Sequence, residues 1–314
     1  MSPAQRAIEW AALPFGSIVL TLAFSQAVLV NIDHRAMTPT ALSAGTSIRT
    51  GRVTQARVAL SEWTKFRSLR STRYTLLAGV GATIVFAIIP ALINANRWST
   101  MSLQDKLTFN PLETTLIGVG VAQLAIGVLG VLVITGEYST GMIRATFSAV
   151  PKRLPVLWAK AGVFGAITLS LSVPAMFIAF FSAQAILSGH TLFGHDIALS
   201  ISDPGVARVV VGGALYLTCV GLFGLGLGAI LRNTAGAIGA FAAVLFVIPP
   251  LLNVLPASWD DAISPYLPSN AGQAIMQSGA SSHTLGPWTG LGLFAAYTAA
   301  TIAAAAVLLR RRDV

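Results

Sequence analysis

Residue types that do chemistry are sparse in this chain, and their spacing narrows what it can catalyse or bind. The four histidines are His34, His190, His195 and His283. His190, His195 and Asp196 share one short stretch at a spacing a metal ion can use. A metal site needs further ligands in fixed geometry, so a solvated polar loop is the plainer reading. No G-x-x-x-x-G-K-[ST] stretch occurs, so the chain has no P-loop to cradle nucleotide phosphates, and no H-E-x-x-H occurs either. The single cysteine, Cys219, sits in an apolar run and excludes both an intrachain disulfide and a Cys-based metal site. The apolar runs hold no paired carboxylates for a proton relay, which argues against a proton- or cation-coupled transporter. No buried acid, base or metal cluster is expected, and this weighs against a membrane-embedded enzyme. No catalytic residue, metal site or cofactor is therefore expected. Gln123, Gln184 and Asn253 are the polar residues inside apolar runs that a translocation path could use. They either line a translocation path or hydrogen-bond between helices.

The elements that would carry these residues follow from composition. Of the 314 residues, 54% are hydrophobic and only 10% charged, with a mean hydropathy of +0.74. A soluble domain carries about 25% charged residues, and a disordered chain is apolar-poor and highly charged. The expected fold is all-α, a polytopic membrane protein. A hydrocarbon core needs about 20 mostly apolar residues per helix. Six windows qualify, at residues 75–93, 114–135, 161–187, 209–231, 235–255 and 288–309, none with an interior Asp, Glu, Lys or Arg.

The formal net charge is +9. In a soluble protein that excess would suggest nucleic acid, but here it reads as topology, because Lys and Arg collect on cytoplasmic loops. Arg49, Arg52, Arg57, Lys65, Arg67, Arg70 and Arg73 precede the first window, and Arg144, Lys152, Arg153 and Lys160 follow the second. Arg232 separates the fourth from the fifth, and Arg310, Arg311 and Arg312 close the chain. The intervening loops carry Asp105, Glu113, Asp196, Asp203, Asp260 and Asp261 against only Arg97, Lys106 and Arg208. The alternation puts both ends of the six-helix unit in the cytoplasm of a cell-membrane protein.

Residues 8–30 form a further apolar run. If it spanned with its start inside, or were a cleaved signal, the basic segment 49–73 would lie outside, against the charge rule. Met37 opens a polar Ser/Thr-rich stretch that reads as a natural start. Residues 1–36 are thus either an over-long start or an additional outside-to-inside helix, and 37–57 a polar cytoplasmic segment.

Two basic-side segments stand out. Residues 58–73 read VALSEWTKFRSLRSTR. Val58, Ala59, Trp63, Phe66 and Leu69 fall within an arc of about 140° on a helix, with Arg70 and Arg73 inside the same arc and free to snorkel. An interfacial helix against membrane lipids is expected, with Trp63, Lys65, Phe66, Arg67 and Arg70 as its residues of interest; a basic anchor that only sets topology is the simpler alternative. Residues 136–153 read GEYSTGMIRATFSAVPKR. Tyr138, Met142, Ile143 and Phe147 are too apolar for an ordinary solvated loop. A short helix between Gly136 and Pro151 would either meet a soluble partner or lie on lipid. Glu137 and Arg144 are about two turns apart and would share one helix face with Thr140 and Gly141. Elsewhere, Gly224 and Gly228 form a G-x-x-x-G pair that fits packing within the chain better than a dimer seam. Pro174 is expected to bend the third span, and Pro249–Pro250 to break or end the fifth.

LSEWTKFRSLRSTRYTLL, two spans around an outer loop, then GEYSTGMIRATFSAVPKRLPVLWAK, resemble the permease subunits of ABC-2 type exporters, those of actinobacteria in particular. YLPSNAGQAI at 266–275 adds to the likeness. The resemblance covers residues 58–314. It implies six helices, an amphipathic elbow helix at 58–73, a coupling helix after span two, and short re-entrant helices within 256–287. It also implies a homodimer, or a heterodimer with a related permease, resting on a separately encoded ATPase. By that resemblance Glu137, Tyr138, Thr140, Gly141 and Arg144 form the ATPase-coupling interface. A non-transporting membrane scaffold or immunity protein is the alternative.

Overall fold

A computed structural model describes residues 55–68, 70–143, 153–252, 254, 256–277 and 285–311. The expected N-terminal extension 1–36, most of the polar segment that follows, Arg144 and Asn253 lie outside the described residues. The protein is an all-α polytopic membrane protein. Six helices among the described residues are long and apolar enough to cross a bilayer: Thr72–Arg97, Pro111–Ser139, Leu154–Leu187, Val206–Leu231, Thr234–Leu252 and Pro287–Arg311. Each contains or overlaps one of the six windows read from the sequence.

The chain enters on α1 (Gln55–Ser68). The described helix already includes residues 55–57, ahead of the expected elbow, and the Gln55 side-chain amide donates to the Pro155 carbonyl at 3.1 Å. Residues 70–73 belong to the first spanning helix, α2 (Arg70–Arg97). A short α3 (Leu103–Thr108) starts where Ser102 accepts from the Asp105 amide. The second span, α4 (Pro111–Ser139), starts where Asn110 accepts from the amides of Leu112 and Glu113 and Pro111 takes a position that needs no donor. The third, α5 (Arg153–Leu187), runs through Pro174 without interruption. A two-residue hairpin, β1 (Thr191–Leu192) and β2 (His195–Asp196), follows. Its turn places Phe193 and Gly194 at φ 51° and 82°.

The fourth span is α6 (Val206–Leu231), which ends at Arg232 in the left-handed region. Asn233 then caps α7 (Thr234–Ala242) through the Gly236 amide. Pro249 and Pro250 cannot donate to carbonyls one turn back. The fifth span accommodates them by widening to a π-helical turn at Ala243–Val247, with the Ile248 amide bonded to the Ala243 carbonyl, before α8 (Ile248–Leu252). The break expected at the proline pair therefore begins a turn ahead of it. Short helices α9 (Ala257–Ile263) and α10 (Pro268–Gln273) precede α11 (Pro287–Arg311). Ser269, Ala271, Gly272, Ala274, Ile275 and Met276 are buried, so this connection packs into the bundle against α6 and α11 rather than lying over it.

The centre is the pair α4 and α6. A Cβ on Gly130 would lie 2.0 Å from the Gly221 carbonyl oxygen, and one on Gly224 would lie 2.3 Å from that of Gly127. The glycines of α6 therefore serve packing within the chain, through backbone-to-backbone approach. The remaining helices surround this seam: α2 and α5 against α4, α11 against α6, α7 against both. Successive spans alternate in direction. One end of the bundle gathers α1, the end of α4, the start of α5 and the exposed Arg57, Arg67, Arg73, Arg310 and Arg311. The other end carries α3, the hairpin, α9 and α10.

Candidate functional site

At the basic end the structure closes a cluster of four charges from three elements. Val58, Glu62 and Phe66 recur at helical spacing on α1 and are all buried, with Glu62 only 1% exposed. Opposite it, Lys160 on α5 is 2% exposed, in a stretch that also buries Val156, Leu157, Ala159 and Ala161. Glu137 comes from the last turn of α4. Lys160 Nζ lies 2.6 Å from Glu62 Oε2 and 2.9 Å from Glu137 Oε1. Lys65 Nζ lies 2.7 Å from Glu62 Oε1 and 2.9 Å from the same Glu137 Oε1. Each ammonium thus bridges both carboxylates, and the net charge is zero. Burial pulls the Lys65 ammonium down, but hydrogen bonds to Glu62 and Glu137 outweigh it and hold its pKa above the ordinary lysine value. A raised lysine stabilises the fold fully below its ordinary pKa, and that contribution fades only as pH rises past it.

The expectation of no buried acid or base cluster is therefore wrong. Charged groups from separate helices meet here and neutralise one another, which apolar-run scanning does not detect. Glu137 Oε2 is buried and has no hydrogen-bond partner among the described residues. Around the cluster, the Phe66 and Phe164 rings stack at 5.9 Å, and Arg232 lies over the Tyr138 ring at 5.3 Å.

The sequence-expected residues regroup. Glu137 and Lys65, assigned to two separate surfaces, are direct partners. Glu137 does not share a continuous helix face with Gly141, and Arg144 lies outside the described residues. Helix α4 continues past Gly136 to Ser139, Thr140 caps it by donating to the Gly136 carbonyl, and Gly141 turns the chain at φ 72°. Thr140, Gly141 and Met142 are exposed and Tyr138 is half-buried. On α1, Phe66 is buried, whereas Trp63 is 50% exposed and Arg67 faces outward. The side chain of Arg70 lies outside the described ones. Glu62 and Lys160 were missed. Their signal is an acid inside the apolar arc of α1 and a lysine at the edge of span three.

The other end of α4 opens on a cavity of about 610 Å³. Glu113, Leu116, Gly120 and Gln123 form a stripe along α4 that lines it, and Tyr216, Gln273 and Met276 close it from α6 and the α10 region. Tyr216 is fully buried and its hydroxyl donates to Gln123 Oε1, while Gln273 Nε2 reaches the Tyr216 oxygen at 3.5 Å. Gln123 thus sits in a polar floor as well as between helices. Gln184 does not line the cavity. Its Oε1 accepts from the Leu199 amide at 2.8 Å and its Nε2 reaches Thr115 Oγ1 at 3.5 Å, so it ties a loop and two spans together. Asp196 accepts from the Gly189 and Ala198 amides. The Ala198 and Gly189 bonds hold its carboxyl below the usual range. His190 packs edge-on against Trp98. Among the described residues, no three His, Cys, Asp or Glu side chains converge as metal ligands would.

The sequence matches no family model and no curated protein. Fold and site together define a polytopic helical membrane protein with an amphipathic helix clamped to one end and a polar cavity at the other.

Proposed function

We propose that the chain is the membrane-spanning permease subunit of an ATP-binding-cassette exporter of the ABC-2 type, with ATP hydrolysed by a separate subunit. The observation that carries this reading is the four-charge cluster. It fastens α1 to the ends of α4 and α5, which flank the connection at 140–152. Force applied to that connection by a soluble motor moves all three elements as one body, as alternating access requires. The exposed Ser139–Met142 edge supports the same reading. In this assignment the basic end is cytoplasmic, the protein resides in the cell membrane, and two permeases rest on two ATPase subunits. The resemblance in the 58–73 and 136–153 segments supports the partner assignment.

The test is affinity purification in mild detergent from the native host, and a P-loop ATPase is expected in the eluate. Glu137→Gln unbalances the cluster and should lower the yield of folded protein; per molecule recovered from the membrane it should still lose transport and substrate-stimulated ATP hydrolysis about tenfold or more, because truncating one partner of a buried charge pair costs about 3–5 kcal/mol and loosens the clamp. A protein that purifies without an ATPase, and whose Glu137→Gln variant keeps its cellular phenotype, is a scaffold or immunity protein instead.

Orientation has its own test. In a Cys219→Ala background, cysteines at the exposed Ser99 and Ser202 should react with an impermeant thiol reagent on intact cells, and a cysteine at Ser139 only after permeabilisation. Labelling of Ser139→Cys from outside would reverse the assignment.

A further inference from the structure

We propose that the cavity along α4 binds a small amphipathic amine. As a binding site it stands on the cavity alone; as the substrate class of an exporter it rests on the permease reading. Its volume of about 610 Å³ falls in the range of about 300–1,000 Å³ occupied by small-molecule sites. Its walls are mixed. Leu116, Val119 and Met276 offer apolar surface to a hydrocarbon or aromatic body.

The floor offers directed hydrogen bonds. The Tyr216 hydroxyl is spent on Gln123 Oε1 and receives Gln273 Nε2. This leaves the Gln123 amide nitrogen as a donor and the Gln273 amide oxygen as an acceptor, neither engaged by another described residue. Gln123 is 6% exposed, and its nitrogen is not among the buried polar atoms without a partner. The exposure that remains to it opens on the cavity that it lines.

Charge selects the ligand's sign. Glu113 lines the cavity at the exposed end of the α4 stripe, and its Oε1 accepts from Asn110 Nδ2 at 3.1 Å. Among the described residues no cation pairs with it, and no Lys, Arg or His is among those that line the space. Arg208 donates through one Nη to the carbonyl of the lining residue Gln277 at 3.0 Å, but its other Nη is buried and Arg208 does not itself line the space. An ammonium near Glu113, a polar group on the Gln123–Gln273 floor and an apolar body on the walls satisfy all three features together. An anionic head would meet a carboxylate and no counter-charge among the described lining residues.

The experiment uses the full chain in non-ionic detergent with dansylcadaverine, a fluorescent amine with a sulfonamide. The same dansyl group on a neutral butyl chain serves as the comparison. A saturable fluorescence increase is expected above the linear background of micelle partition. Glu113→Gln keeps the hydrogen bond to Asn110 and should weaken the amine about tenfold while leaving the neutral analogue unchanged. Gln123→Leu should weaken both probes, and a melting curve reports whether that variant still folds. Absence of a saturable signal, or equal amine affinity in wild type and Glu113→Gln, overturns the proposal and leaves a hydrated packing gap. Because no ATPase is involved, failure here leaves the permease reading standing, and failure to recover an ATPase leaves the cavity result standing.

Discussion

Lys160→Met is expected to destabilise the protein by about 3–5 kcal/mol, the usual cost of removing one partner from a buried ion pair. The substitution preserves volume and deletes only the charge. It leaves Glu62, 1% exposed, and Glu137, 8% exposed, to share one remaining ammonium. Two carboxylates held close together resist joint ionisation, so one must take up a proton or the α1 helix must lift away. Lys65→Met should cost less, because the Lys65 side chain retains 28% exposure and water screens its pairs. Adding Glu62→Gln to Lys160→Met restores charge balance and should recover much of the loss. The readout is the temperature at which half the detergent-solubilised protein stays monodisperse on size exclusion. Wild-type behaviour of Lys160→Met would mean that the cluster is solvated.

Gly130→Val should prevent accumulation of folded protein. Its Cβ alone would lie 2.0 Å from the Gly221 carbonyl oxygen, whereas an ordinary carbon–oxygen contact is about 3.3 Å or more. The obstacle is backbone, so no rotamer change relieves it, and α4 and α6 must part by about 1 Å along their length. Membrane helices lack a hydrophobic drive to associate and depend on this close packing. Separation therefore forfeits the contacts that assemble the bundle, beyond the roughly 1–3 kcal/mol of a typical overpacked core. Gly81→Ala is the matched control, since a Cβ there meets nothing within 4 Å. Equal expression and melting of Gly130→Val and wild type would refute the seam.

The fold was legible because hydrocarbon length is a strong constraint. Six apolar windows matched six spanning helices, differing mainly at ends such as Pro111 and Ser139, where caps rather than hydropathy set the boundary. The sites were legible only in part. Glu62 lies inside the same arc as Val58 and Phe66, but a search for apolar residues passes over the acid between them. Its partner Lys160 is 98 residues away, and nothing local in the sequence links the two. Gln123 was noticeable as a polar residue in an apolar run. Tyr216 was not, because a tyrosine within a span reads as ordinary packing until its hydroxyl is seen to face Gln123. The coupling segment was legible only at its start: Gly141, at φ 72°, ends the helix that carries Glu137, a turn that residue spacing alone does not reveal, and residues 144–152 lie outside the described ones.

The four-charge cluster also sets an order of biogenesis. Glu62 and Lys65 leave the ribosome first, Glu137 follows Lys65 by 72 residues, and Lys160 follows Glu137 by 23. A nascent chain that has inserted only its first two spans holds two carboxylates and one ammonium at the bilayer edge. Such a surplus negative charge cannot be buried, so α1 stays at the wet headgroup layer while synthesis continues. Arrival of Lys160 with the third span brings the set to neutrality, and only then can the amphipathic helix dock. A chain interrupted before α5 would therefore keep α1 undocked, because the ammonium that balances the second carboxylate is missing.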